Sequence, residues 1–249
     1  MKMSVAAWCL RALLCALLSV PVTQLWAGET MMQSSRATTE SLHYLAAGQT
    51  DAATLLPPPP LPGSAEQAAD LEEVRAVHHA ASADDTTMAL AQRRFSVFSF
   101  TPVIGTFFLE TNLPKTTAFF DKVQRDAEIV TDKGKDFFQR PRPFVIDPTL
   151  ASGKLEKSFS YPSGHSTESM VLALVLADLL PEKRDAILAE AREIGWHRVQ
   201  IARHYPTDIY AGRVLALAIV KEFRKSAEYQ AAFAQAKAEM AAAQAAGRN

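Results

Sequence analysis

Apolar residues recur every three to four positions along most of the chain, which is the spacing of amphipathic helices. The predicted helices begin near Ser64 and then cover about 84–100, 116–139, 164–180, 182–195, 206–224 and 226–245. Residues 144–157 are predicted to form a loop, and residues 41–47 have weak helical character. No series of alternating apolar and polar runs indicates a sheet, and no internal repeat is present. The pattern predicts an all-α fold, a single compact helical domain.

A local signal supports the first of these helices. Ser64 is followed three residues later by Gln67, a capping-box pattern that predicts the start of a helix. The helix that follows it is expected to point Met88, Phe95 and Phe98 toward the core.

A run of prolines lies within residues 55–63, between two leucines and Gly63. Consecutive prolines favour an extended polyproline II segment with no internal hydrogen bonds. We expect a stiff strap packed across the domain rather than a ligand for an SH3-type module. Residues 28–63 are therefore predicted to be an N-terminal extended segment, and residues 226–249 a peripheral C-terminal helix rich in alanine and glutamine.

The first 27 residues have the pattern of a secretory signal peptide. Lys2 and Arg11 precede or interrupt a short apolar stretch, and small residues follow near Ala27, where cleavage is predicted. The alternative is an uncleaved membrane anchor, for which the apolar run is short. The expected location is the bacterial periplasm, and residues 28–249 are expected to form one domain that does not enter the membrane.

Composition narrows the classes of partner and cofactor. The chain is 48% hydrophobic with a formal net charge of -1, so no basic excess indicates nucleic acid. Cys9 and Cys15, the two cysteines, both lie in the predicted signal peptide, so the mature chain has no disulfide and no thiolate metal site. His78 and His79 are adjacent, and neighbouring residues on a helix point about 100° apart. No metal site and no cofactor are predicted.

The first candidate binding segment contains Lys135 and, seven residues later, Arg142. Seven residues are about two helical turns, so the two side chains would leave one face. Pro141 and Pro143 hold Arg142 in a stiff segment, which limits the entropy lost when its side chain is ordered. An ammonium and a planar guanidinium together suit a phosphoryl group. The alternative is two basic residues that serve only solubility and the helix dipole.

The second segment is the turn Pro162-Ser163-Gly164-His165, which precedes an apolar helix. Unpaired N–H groups at a helix start bind anions, and glycine lets the backbone approach them closely. His165 is suited to donate a proton to a leaving oxygen. The alternative is an ordinary N-cap by Ser163, with His165 incidental.

The third segment runs from Arg198 to Asp208. Pro206 is placed as the first residue of a helix, so His204 lies just before the helix and Asp208 in its first turn. A carboxylate on one ring nitrogen fixes the tautomer, and the other nitrogen then presents its lone pair as a nucleophile. The alternative is a structural His–Asp pair at a helix cap.

All three segments occur in one order: Lys, six residues, Arg-Pro; then Pro-Ser-Gly-His; then Arg, five residues, His, three residues, Asp. This arrangement resembles the signature of the type-2 phosphatidic acid phosphatase superfamily, which includes soluble bacterial acid phosphatases, lipid phosphatases and vanadium haloperoxidases. The proline run, with Gly63-Ser64 and Ala69-Asp70 after it, is similar to the class A bacterial non-specific acid phosphatases in particular. The resemblance covers about residues 42–215.

The resemblance implies an active site between helices of a core bundle and a role for each motif residue. The phosphate oxygens would be bound by Lys135, Arg142, Ser163, Gly164 and Arg198. His204 would attack phosphorus and form a phosphohistidine, Asp208 would orient it, and His165 would protonate the leaving alcohol and then activate water. The implied activity is a metal-independent acid phosphatase acting on small phosphomonoesters, and the implied assembly is a homodimer or larger.

The sequence departs from the family pattern at three positions. His197 replaces the usual serine before the third-motif arginine, Phe159 replaces a glycine, and Ser166 replaces a threonine. His197 either adds a donor beside the pocket or packs there. Three alternatives remain: a vanadium-dependent haloperoxidase, a periplasmic lipid phosphate or pyrophosphate phosphatase, and a non-catalytic phosphate-binding protein.

Overall fold

A computed structural model describes residues 41–246, which form helices and connecting turns with no strand among them. The helices are α1 (Ala52–Leu55), α2 (Ala65–Ala80), α3 (Ala83–Ala91), α4 (Thr101–Ile104), α5 (Pro114–Phe138), α6 (Pro143–Ile146), α7 (Gly164–Leu179), α8 (Arg184–Gln200), α9 (Pro206–Phe223) and α10 (Ala227–Ala246). Short 3-10 turns lie at Val97–Phe100, Glu110–Asn112, Pro148–Leu150 and Pro181–Lys183. The predicted all-α fold is confirmed. The predicted signal peptide, with Cys9 and Cys15, lies outside the described residues.

Helix α7 is the centre of the fold. It is apolar nearly all round, and its side chains are almost all buried between α5, α8 and α9. A helix with no polar face can exist in water only where other helices cover it on every side. Because Ser163 and Gly164 begin this helix, the turn that carries them is held by the core itself.

Helix α10 closes one side of the bundle against α5. Its Tyr229 stacks on Phe223 of α9 and meets Tyr44 edge to face. The backbone N–H of Tyr44 donates to the carboxylate of the buried Asp126 at 2.8 Å. This carboxylate also accepts from residues 43 and 45, so it ties the chain before α1 to α5 although residues 41–47 are not helical.

The predicted helix at 84–100 is wrong in its second half. Helix α3 ends at Ala91, and Ser96 starts a separate 3-10 turn by accepting from the N–H of Phe98. Met88 is 50% exposed, while Phe95 and Phe98 pack against the core as predicted. Serine hydroxyls compete for backbone N–H groups, and here one supplies the new cap that breaks the helix.

Two further boundaries differ from prediction. Helix α8 continues to Gln200 rather than ending near 195, which places Arg198 in its last turn. The predicted loop at 144–157 contains α6 and a 3-10 turn. Pro143 and Pro148 stand at the first positions of these two turns, where proline's missing N–H costs nothing.

The proline run lies across the bundle near the turn before α7. The hydroxyl of Tyr161 donates to the carbonyl oxygen of Pro57 at 2.7 Å. Prolines 58–60 line an apolar groove of about 330 Å³ with Phe138 and Tyr205. Between residues 41 and 246, no helix has both the length and the apolar character needed to cross a membrane.

Candidate active site

The start of α7 is the point where the second and third predicted segments meet. The N–H of Ser163 donates to the backbone carbonyl of Asp208 at 3.1 Å. Gly212 lies so close that a Cβ there would be 2.9 Å from the carbonyl oxygen of Ser163. The Ser163 hydroxyl also caps α7 by accepting from the N–H of Ser166 at 3.4 Å. The turn is therefore an N-cap in addition to its place in the site.

His204 is held in one tautomer by the groups on its two ring nitrogens. Nδ1 lies 3.3 Å from Oδ2 of Asp208, and Nε2 lies 3.1 Å from Nη1 of Arg142. A guanidinium only donates, so Nε2 is the acceptor and the ring proton is on Nδ1. The lone pair of Nε2 consequently points toward the cationic groups of the site. This is the orientation that the four-residue spacing from Asp208 predicts.

Asp208 is fully buried and accepts hydrogen bonds on both oxygens. Oδ1 accepts from Nη1 of Arg140 at 2.6 Å. Oδ2 accepts from the Ser160 hydroxyl at 2.5 Å and from the N–H of Tyr205 at 2.9 Å, beside its contact with His204. A carboxylate with this many donors is fixed in position, so Asp208 can orient the His204 ring.

Arg142 stands at the N-cap of α6 and not on α5, so it does not share a helical face with Lys135 as the spacing alone suggested. Its Nε donates to the Ser158 carbonyl at 2.7 Å, and its Nη1 donates to the Arg203 carbonyl at 2.8 Å. These backbone anchors aim the guanidinium at His204. Burial lowers the pKa of Arg142, but the side chain remains a cation.

Arg198 reaches the site from the last turn of α8. Its Nη2 pairs with Oε1 of Glu156 at 2.5 Å, and Glu156 also lies 3.0 Å from Nε of Arg203. Burial lowers the pKa of Arg198 to about 10, so it is charged at neutral pH. Its Nε is buried and has no hydrogen-bond partner among residues 41–246. An unsatisfied donor of this kind is the group that an anion would satisfy.

Lys135 and Gly164 meet at the mouth of the anion site. A Cβ added at Gly164 would lie 3.1 Å from Nζ of Lys135 and 3.3 Å from Oε1 of Glu168. Lys135 is nearly buried, and its Nζ also pairs with the half-exposed Asp132 at 3.0 Å. Glycine is therefore what leaves room for the ammonium beside the first N–H groups of α7.

Gly164→Ala is expected to raise the KM for a phosphomonoester about tenfold with a smaller change in kcat, because the methyl group displaces the Lys135 ammonium. Gly164 is the first residue of α7, where the preference for alanine over glycine is weaker than in a helix interior and is offset by the close contact with Lys135, so the melting temperature should change little. Steady-state kinetics and a thermal melt on one preparation test both statements. An unchanged KM would show that Lys135 does not depend on this space.

His165 is half-buried, one residue after Gly164. Its ring packs at 5.4 Å from that of Phe95, and its Nε2 lies 3.2 Å from the carbonyl oxygen of Arg93. A carbonyl only accepts, so Nε2 carries a proton and Nδ1 is the atom free to gain or lose one. The segment between α3 and α4 thus forms the wall on the His165 side of the cleft.

The two histidines share one electrostatic environment. Burial and the charges of Arg142, Arg198 and Lys135 hold the pKa of His204 well below its ordinary value. Burial, Arg198, the neighbouring His204 and Lys135 do the same to the pKa of His165. Both rings are therefore neutral in the empty site at neutral pH. A neutral imidazole is the form that can act as a nucleophile.

Three residues of the site, Arg140, Ser160 and Glu156, have no role in the sequence-based prediction. Each lies beside a motif: Arg140 two residues before Arg142, Ser160 before the Pro-Ser-Gly-His turn, and Glu156 in the loop before it. Arg140 also pairs with the buried Asp70 of α2 at 2.6 Å. For Arg140 and Glu156 the available signal was a charged residue close to a phosphate-binding motif, but the sequence does not show which residues they pair with, because those contacts are tertiary.

His197 packs rather than adding a donor to the anion site. Its Nδ1 lies 2.5 Å from Oε1 of Gln92, and the residue is 8% exposed. Gln92 caps the C-terminus of α3. The pair ties α8 to the segment that carries Arg93 and Phe95.

All eight residues predicted from the motifs converge on this cleft. They are Lys135, Arg142, Ser163, Gly164, His165, Arg198, His204 and Asp208. The site combines three cations, the N–H groups of a helix start and two neutral imidazoles. That set can bind a tetrahedral dianion, attack its central atom and exchange a proton with a leaving oxygen.

Comparison with known proteins gives consistent matches. The family model described as "PAP2 superfamily" matches residues 126–231. The chain is 30% identical over 220 residues to a non-specific acid phosphatase of Providencia stuartii, covering 82% of this chain and 87% of that protein. It is 32% identical over 103 residues to an acid phosphatase of Zymomonas mobilis, covering 39% of each.

A solved structure also matches over much of the chain. It is the transmembrane PAP2 type phosphatidylglycerolphosphate phosphatase of Bacillus subtilis, at 20% identity and a TM-score of 0.47, covering 70% of this chain and 89% of that one.

Proposed function

Because the chain belongs to the PAP2 superfamily and is a phosphomonoesterase of the acid phosphatase type, we propose that it acts through a covalent phosphohistidine on His204 and without a metal ion. The observation that carries the proposal is the fixed tautomer of His204. Its Nδ1–H faces Asp208, and its Nε2 lone pair lies 3.1 Å from Arg142, a phosphate-binding cation.

In the first step, Nε2 of His204 attacks phosphorus, the N–P bond forms and the bond from phosphorus to the ester oxygen breaks. The phosphate oxygens take the donors of Arg142, Lys135 and the free Nε of Arg198. Protonated His165 gives its proton to the departing oxygen, which leaves as an alcohol. Asp208 stabilises the positive charge that develops on the His204 ring.

In the second step, water attacks the phosphohistidine. His165, now neutral, takes a proton from the water, the new P–O bond forms and the N–P bond breaks. His204 regains its lone pair, inorganic phosphate is released and His165 carries the proton needed for the next cycle. One imidazole thus serves as acid and then as base.

Positive charge for the transition state comes from side chains of this chain. Lys135, Arg142 and Arg198 are all buried to more than nine-tenths, where their charges are weakly screened. Among the described residues, no group of three His, Cys, Asp or Glu side chains is placed to hold a metal ion. The cations supply the stabilisation that a metal gives in other phosphoryl-transfer sites.

Turnover of p-nitrophenyl phosphate at pH 5–6 tests the proposal directly. We expect full activity in excess chelator. After an alkaline quench we expect to trap a phosphoenzyme, and because a phosphohistidine is a phosphoramidate, this phosphoenzyme should be hydrolysed by acid. Activity that disappears with chelator and returns with a divalent metal would overturn the metal-independent mechanism. A trapped phosphoserine would overturn the nucleophile.

The pH profile is expected to differ between kcat and kcat/KM. In the empty enzyme, burial and nearby cations depress the pKa of His165. The negative charge of a bound phosphate dianion offsets the positive charges of Arg198 and Lys135, so the pKa of His165 rises in the enzyme–substrate complex. The acid must be protonated, so activity falls as pH rises through its pKa. The alkaline limb of kcat should therefore lie at higher pH than that of kcat/KM.

A matched variant tests the cause of that separation. Lys135→Gln removes one charge that depresses the pKa of His165 in the empty enzyme, so the two alkaline limbs should move closer together. Coincident limbs in the wild type would contradict the electrostatic argument.

We infer export to the periplasm and a homo-oligomeric assembly from the N-terminal pattern and the class A resemblance. Export predicts that the protein in a periplasmic fraction starts after Ala27, which N-terminal sequencing checks. Light scattering of the purified protein checks the assembly.

A further inference from the structure

Glu168 is a titratable side chain in the cleft that the mechanism does not use. It lies on α7 one turn after Gly164 and His165, so its side chain leaves the helix on their side. Its Oε1 lies 3.3 Å from where a Cβ of Gly164 would stand, and Nζ of Lys135 lies 3.1 Å from the same point. Glu168 therefore borders the bound phosphoryl group.

Glu168 also borders the wall beside His165. Nε2 of Gln124 on α5 donates to Oε2 of Glu168 at 3.1 Å and to the carbonyl of Phe95 at 3.3 Å. The ring of Phe95 packs against His165. Since His165 is the group that protonates the departing oxygen, Glu168, Gln124 and Phe95 surround the space that the leaving alcohol would occupy.

One oxygen of Glu168 remains available to a ligand. Oε2 is engaged by Gln124, whereas no hydrogen bond to Oε1 occurs within residues 41–246. Burial raises the pKa of Glu168 to about 7, against the charge of Lys135, with Glu128 and Asp132 of α5 adding in the same direction as burial. At the acidic pH of the reaction the carboxyl is therefore mostly neutral. Because Oε2 accepts from Gln124, the proton is on Oε1, which can donate to the oxygen of a hydroxyl but not to an ammonium group.

We propose that Glu168, held by Gln124, is a specificity-determining residue that donates a hydrogen bond from Oε1 to a hydroxyl of the leaving alcohol. The favoured substrates are phosphomonoesters of polyols, such as glycerol or a sugar, over esters of alcohols with no further hydroxyl. This inference rests on the proposed function, because it places the leaving alcohol beside His165. A site that hydrogen-bonds a substrate hydroxyl discriminates against analogues lacking it, since its polar group is then left unpaired.

The test compares kcat/KM for glycerol 1-phosphate and for phenyl phosphate at pH 5.5. Glu168→Leu is expected to lower kcat/KM for glycerol 1-phosphate about tenfold and to leave kcat/KM for phenyl phosphate within about twofold. Phenol, the leaving group of phenyl phosphate, has no further hydroxyl with which Glu168 could form a hydrogen bond. Glu168→Gln keeps an acceptor oxygen for Gln124 and an N–H donor for the substrate hydroxyl, so it should retain most of the glycerol phosphate activity. Glu190→Leu, at a half-buried glutamate of α8 outside the cleft, should change neither kcat/KM value.

A second variant covers the case in which Glu168→Leu does not fold. Gln124→Leu releases the carboxyl from its anchor and should shift the substrate ratio in the same direction by a smaller factor. Equal losses on both substrates, or an unchanged ratio in both variants, would overturn the assignment, as would a preference for an ammonium-bearing ester such as phosphoethanolamine over glycerol phosphate. Failure of the wild type to hydrolyse phenyl phosphate would instead count against the proposed function.

Discussion

His204→Ala is expected to lower kcat/KM for p-nitrophenyl phosphate by at least about 10⁴. In the proposed mechanism the imidazole supplies the lone pair that attacks phosphorus, and its Nε2 already lies 3.1 Å from Arg142. Removing it leaves the cations to bind phosphate, so binding of inorganic phosphate should persist. Initial rates and a phosphate-binding titration on the same variant separate loss of chemistry from loss of binding.

His165→Ala is the matched control for this experiment. p-Nitrophenolate leaves without a proton, so the first step should survive in this variant while the second step loses its base. We expect a burst of nitrophenol followed by slow turnover, and a phosphoenzyme that accumulates. Phosphoenzyme in His204→Ala, or residual activity above about one hundredth of the wild type, would remove His204 from the nucleophile's role.

Much of the fold follows from signals that are local in sequence. Helix α9 begins at Pro206 and α2 follows Ser64 as predicted, because proline and serine act through the backbone within a few residues. Helix α7 reads as a buried helix because its apolar run has no polar face. Helices α7 and α9 carry Gly164, His165 and Asp208, with Ser163 at the cap of α7 and His204 two residues before α9, so much of the site was predictable along with them.

The break after α3 was not predictable in this way. Residues 84–100 keep a helical apolar spacing, yet Ser96 caps a new turn and exposes the carbonyl of Arg93 to His165. Glu168 shows a similar limit, because nothing near it in sequence indicates that Gln124, 44 positions away, orients its carboxyl. Contacts between segments that are distant in sequence determine both the path of the chain after α3 and the orientation of Glu168, and the spacing of apolar residues does not reveal such contacts.

Loss of Arg140 is expected to lower the stability of the fold strongly. Its guanidinium bridges two buried carboxylates, with Nη1 at 2.6 Å from Asp208 and Nη2 at 2.6 Å from Asp70. It also lies 3.8 Å over the ring of Tyr205. The bridge joins α9, which carries Asp208, to α2, so it places Asp208 as well as stabilising the fold.

Arg140→Met is expected to lower the free energy of unfolding by about 3–5 kcal/mol, because two buried charges lose their partner while the side-chain volume is kept. Thermal and urea unfolding measure this. Arg75→Met removes a partly exposed arginine that pairs with Asp147 at 2.8 Å, and it should cost much less stability than Arg140→Met because solvent screens this pair. Adding Asp70→Asn to Arg140→Met should recover part of the loss, since one of the unpaired charges is gone. Additive losses in the double variant would mean that the bridge is not the source of the stability.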